Sequence, residues 1–93
     1  MIISMFNLTT TNSGGVKTAS IDTQEGGEGS TETFNFTILD QNVSSTLAFG
    51  NQEKKTVTVK HTASGQGLVI VTNQSSGLTR HCWLDVDAPS SSC

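Results

Sequence analysis

Charge is scarce in this sequence: 14% of its 93 residues are charged, where about 25% is usual. The five basic residues are scattered. No basic stripe exists to neutralise phosphates, which excludes a DNA or RNA partner. Apolar residues are also few, at 33% against roughly 45% in ordinary globular chains. No stretch approaches the roughly 18 apolar residues of a membrane span, so no membrane partner is expected. The opening "MIISMFNLTTTNSGG" lacks the basic segment and long apolar run of a secretory signal. With Met1 at its head, the chain is expected to be an intact product made in a cytoplasm. Sustained helical periodicity and long internal repeats are missing too. Ser, Thr, Asn, Gln and Gly fill the space, and that composition suits Thr-rich strands joined by polar turns.

Ninety-three residues make one domain, 1–93, with one modest core. "IISMFNL" (2–8) is a short apolar run, a first strand or a docking arm, and "TTTNSGG" breaks it. Residues 1–12 are therefore read as an N-terminal arm or an edge strand. "VKTASID" (16–22) alternates weakly, and "TQEGGEGS" (23–30) is an acidic, glycine-rich loop. "TETFNFTIL" (31–39) is the clearest strand, with Phe34, Phe36 and Ile38 on one face. "DQNVSS" reads as a turn and "TLAFG" (46–50) as a short strand. "TVTVKH" (56–61), "LVIVTN" (68–73) and "LTRHCWLDV" (78–86) follow, and 88–93 form a Ser-rich tail. The pattern predicts an all-β fold: a small antiparallel β-sandwich of Greek-key type with six or seven strands. Its expected core is Phe34, Phe36, Ile38, Leu47, Phe49, Val57, Val59, Val69, Val71 and Leu84.

The segment "FNFTILDQNVSSTLAFGNQEKKTVTV" resembles the middle of immunoglobulin-like β-sandwich modules of phage structural and bacterial surface proteins. It covers about a third of the chain, and its pattern is an aromatic alternating strand, a short strand, a polar turn and a Thr-Val-Thr-Val strand. The resemblance implies an Ig-like fold and no activity. The Cys…Trp…Cys spacing of antibody-type domains is absent, since both cysteines lie at one end. Some modules of this general type form an internal Lys–Asn isopeptide bond beside a buried acid. Lys17, Asn73 and Glu32 supply the residue types but no recognisable motif.

The closing segment "TRHCWLDVDAPSSSC" gathers a histidine, both cysteines and the only tryptophan. Period-two alternation sets His81, Trp83 and Asp85 on one face, a candidate sugar-binding platform of an aromatic ring beside a carboxylate. The plainer reading is a solvated or contact-making strand face. Cys82 and Cys93 could close a disulfide over a ten-residue loop, or stay a buried thiol and a loose terminal one. A zinc site from His61, His81, Cys82 and Cys93 fails on spacing, because His81 and Cys82 are adjacent on a strand and point opposite ways. The same argument removes a Cys–His nucleophile, and no Gly-x-Ser-x-Gly elbow occurs. No catalytic residue, metal or cofactor is expected, and the chain is read as no enzyme.

What remains is association. A thin core favours oligomerisation, and the apolar residues Ile2, Ile3, Met5 and Phe6 are the expected assembly contact. The expected function is that of a structural or assembly protein, a phage virion component such as a capsid decoration (cement) protein. It would act as a homo-oligomer, with a trimer favoured, and on a capsid or other assembly protein. Its expected location is the virion after synthesis in a host cytoplasm, or else the cytoplasm itself. Two alternatives are a carbohydrate-binding or adhesion module using the Trp83 face, and a small inhibitor of one host protein.

Overall fold

A computed structural model describes residues 5–24, 29–51 and 53–86, together with the backbone of 90–92. Every regular element among them is a strand: β1 (Phe6–Ser13), β2 (Val16–Thr23), β3 (Thr31–Ile38), β4 (Gln41–Ala48), β5 (Thr56–Thr62), β6 (Gly67–Asn73), β7 (Thr79–Leu84) and the short β8 (Ser90–Ser92). They form two antiparallel sheets, in the orders β5-β2-β1-β8 and β4-β3-β6-β7. The protein is thus a small β-sandwich. Hairpins join β1 to β2, β3 to β4 and β6 to β7, and the chain changes sheet at each of the other four connections.

Alternation fills the space between the sheets. Phe6 and Leu8 from β1, Ala19 and Ile21 from β2, and Phe34, Phe36 and Ile38 from β3 are buried together. Val69 and Val71 from β6 and Cys82 and Leu84 from β7 complete the cluster. The Phe6 and Phe34 rings meet edge to face, with centroids 5.3 Å apart, an arrangement that suits their quadrupoles. Leu47, Val57 and Val59, expected at the centre, are only partly buried and pack on its margin. Phe49 is buried just beyond β4.

The N-terminal arm needs correction. Phe6 was expected in an assembly contact, yet it is fully buried in the core of its own chain. The strand it opens lies between β2 and β8 rather than at an edge. β1 also runs on through the "TTTNS" that composition reads as a break, because Thr10 faces inward and is buried. The chain turns only at Gly14 and Gly15, with φ of 58° and 84°, the two left-handed residues a tight hairpin turn demands. Ile2 and Ile3 lie outside the described residues, and Met5 is exposed.

β4 needs a second correction. "DQNVSS" is strand from Gln41 onward, and the turn is the two residues Leu39 and Asp40 alone. Asn42 and Ser44 face solvent and bond across the strand pair, Thr37 Oγ1 donating to Asn42 Oδ1 at 2.6 Å and Ser44 Oγ to Asn35 Oδ1 at 3.3 Å. Leu39 takes a left-handed φ of 57°, an uncommon setting for a bulky residue. Its side chain covers Gly67, where an added Cβ would stand 2.4 Å from a Leu39 methyl carbon. The expected tail also shortens, since Ser90–Ser92 pairs with Thr9–Thr11 of β1.

Both solvent faces are fastened by neutral side chains. Ser20 with Thr58, Thr33 with Thr46, and Thr72 with Thr79 share hydroxyl hydrogen bonds of 2.8, 3.1 and 3.0 Å. Thr11 and Thr18 form another such pair. These contacts are the cross-strand units on which sheet stability rests.

Candidate functional site

Strand β7 carries the residues that the closing segment singled out. Cys82 and Leu84 turn inward and are buried, while His81 and Trp83 stand on the outer face. Trp83 is 55% exposed, and its indole Nε1 donates to Asp85 Oδ1 at 2.9 Å. That bond fixes the ring relative to the strand. Directly across the sheet from Trp83 is Leu68, itself 40% exposed, and His81 stands opposite Ile70. The result is an apolar pair flanked by an imidazole and a carboxylate. His81, Trp83 and Asp85 thus share one face, as their spacing requires, and Leu68 joins them from β6. The expected core positions Val69 and Val71 already turn Leu68 outward, as found, but sequence alone could not give its pairing with Trp83 across β6 and β7.

The two ends of the sandwich are closed by polar groups. At one end Asn73, fully buried, donates through Nδ2 to Glu32 Oε1 at 2.8 Å, and Ser30 Oγ donates to Glu32 Oε2 at 3.1 Å. At the other, the buried Lys17 ammonium donates to the Ala63 carbonyl at 2.6 Å and to Asn12 Oδ1 at 3.4 Å. Lys17 is six residues along β2 from Thr23, which pairs with Phe6. Phe6 packs on Phe34, whose partner in register is Asn73. At about 3.3 Å per strand residue, roughly 20 Å therefore separates the lysine from the Glu32–Asn73 pair. An acid and an amide do meet, but Lys17 is not beside them, so this trio cannot form an isopeptide bond.

Near Lys17, Asp40 reaches from the β3–β4 turn to His61 of β5, with Oδ1 and Nε2 3.0 Å apart. The His61 hydrogen bond holds the Asp40 carboxyl below the usual aspartate range, helped by a backbone amide. Sequence reasoning missed this pair, which lies 21 residues apart on different sheets. Among the described residues no three His, Cys, Asp or Glu side chains gather as a metal site would need. Cys82 is disulfide-bonded, with Thr10 Oγ1 at 3.7 Å from its sulfur. The other cysteine of the expected bridge, Cys93, lies outside the described residues. Compared with known proteins, the chain matches no family model, no curated protein and no solved structure.

Proposed function

We propose that this chain is a non-enzymatic structural and assembly module, in its most concrete form a phage virion component such as a capsid decoration protein. The observation that carries this reading is the pairing of exposed Leu68 with exposed Trp83, flanked by Ile70 and His81, on a sheet face whose β3 half is hydroxyl and amide side chains. Paired exposed apolar groups of this kind mark contact surfaces, and tryptophan is the side chain most often found at their energetic centre. The disulfide at Cys82 supports a working life outside a reducing cytoplasm, which an extracellular particle provides. Mass spectrometry of particles purified from the source culture tests the reading. Stoichiometric copies of the chain in the particle are expected, with loss of incorporation in a Trp83→Ala, Leu68→Ser variant that still melts like the wild type. Absence of the chain from such particles overturns the virion assignment.

A second reading has one observation in its favour. The Trp83 ring, oriented by Asp85 and flanked by exposed His81, has the form of a carbohydrate platform. A glycan array probed with the full chain separates the two readings, since sugar binding lost on Trp83→Ala would make this face an adhesion surface.

A further inference from the structure

We propose that β4 is a self-association edge, on which a second copy of this chain docks its own β4 antiparallel about a two-fold axis. The inference rests on the reading of the protein as an assembly module and gives that reading an address.

β4 is the outer strand of its sheet and pairs with β3. Sheet edges are templates for further pairing, and proteins blunt them with charge, proline, bulges or short length. The other three edges carry such devices. β5 holds Lys60 and His61, β7 holds Arg80 and His81, and β8 is three residues long. β4 is "QNVSSTLA", eight residues without charge, proline or glycine, and none has a positive φ.

The backbone sets the register of the docked copy. A two-residue turn makes Ile38 and Gln41 the closing hydrogen-bonded pair, so bonds to β3 fall on the odd-numbered residues of β4. The Phe49 amide continues the series, donating to the Ser30 carbonyl at 2.8 Å. Asn42, Ser44, Thr46 and Ala48 therefore point their amides and carbonyls off the edge. A two-fold axis perpendicular to the sheet keeps inner faces together, so even-numbered residues must face even-numbered ones. Of the registers this allows, the one placing Ser45 opposite Ser45 engages all four. Ser44 then faces Thr46, Asn42 faces Ala48, and about eight inter-copy hydrogen bonds form.

Side chains agree with that register. On the inner face Val43 meets Leu47 of the second copy. Both are half-buried in the single chain, and both sit at non-hydrogen-bonded positions, where side chains approach most closely. No like charges meet across the axis. The product is one sheet of eight strands, running from β7 of one copy to β7 of the other. This contact gives two-fold dimers in place of the trimer favoured on sequence.

Sedimentation velocity of the full chain over a concentration series tests the proposal with two kinds of variant. In Thr46→Pro the lost amide points away from β3, so the melt should stay near that of the wild type. The dimer dissociation constant should rise about tenfold or more. Ser45→Cys should give a covalent dimer on oxidation, because non-hydrogen-bonded partners stand about 4.5 Å apart at Cα, within disulfide reach. Ser44→Cys should not. If Thr46→Pro fails to fold, the two cysteine variants decide. Association unchanged by Thr46→Pro, or covalent dimers from Ser44→Cys alone, overturns the β4 contact and leaves assembly by another surface standing. A wild type that stays monomeric at every concentration also overturns the β4 contact, while its presence in or absence from purified particles decides the assembly reading separately.

Discussion

Phe6 shows how a side chain's place is settled by partners remote in sequence. Its neighbours "MIISM" suggest a loose apolar arm, yet the ring is buried against Phe34, with Arg80 5.8 Å from its centroid on the remaining side. Nothing local announces either contact. Phe34, Phe36 and Ile38, by contrast, were legible because their alternation is carried by one strand whose two faces differ in polarity. Truncating Phe6 to Ala is expected to cost about 3–5 kcal/mol, whereas Met5→Ala, at an exposed position, should stay within about 0.5 kcal/mol. Denaturant unfolding of both variants measures the contrast, and a Phe6→Ala protein as stable as the wild type would restore the docking arm. Leu39 and Gly67 are coupled in a similar way. Gly67→Ala should lose about 1–2 kcal/mol through overpacking against Leu39. In a Leu39→Gly background the same change should cost much less, and a double-mutant cycle reads that difference directly.

At the scale of the strand, composition misleads where Ser, Thr and Asn read as turn formers. Such residues favour turns when their side chains bond locally, but on the outer face of a hairpin they find partners across the ladder instead. β4 and the second half of β1 are both built this way, so the sequence placed β3 and β5 well and cut β1 and β4 short. The candidate site divides along the same line. The common face of His81, Trp83 and Asp85 follows from period two within one strand, while Leu68 and the His61–Asp40 pair depend on how strands assemble. That pair ties the β3–β4 turn to the opposite sheet, and it responds to acid. The folded-state pKa of Asp40 is depressed, first by the His61 hydrogen bond. Its contribution is therefore present above the unfolded aspartate pKa and is lost as pH falls through the lower folded one. Replacing His61 with Ala should let the Asp40 carboxyl titrate back toward the ordinary aspartate range, short of it by what the backbone hydrogen bond still contributes. Carbon-detected NMR of the side chain follows that movement; an unmoved titration would remove His61 as its cause.

Across the whole molecule, an apolar middle is closed at one end by Glu32 and Asn73 and at the other by Lys17 and Asn12. Sliding one sheet past the other would drag one of these groups into hydrocarbon, where a polar group without its partner is costly. The two sheets therefore have one alignment, which also fixes where β4 ends up. The hydroxyl ladders on the outside add a different property, because, apart from Thr56 donating to the Asp22 carboxylate, they bind the strands without using charge. Among the described residues only Lys55 with Glu53 and the hydrogen-bonded His61 with Asp40 bring a basic and an acidic side chain into contact, and exposed pairs contribute little. A fold held in this way is nearly blind to ionic strength. Raising sodium chloride from about 50 mM to about 1 M shortens the screening length severalfold, yet the melting temperature should move by no more than about 2 °C. Brine and dilute buffer would then be equivalent surroundings for this protein.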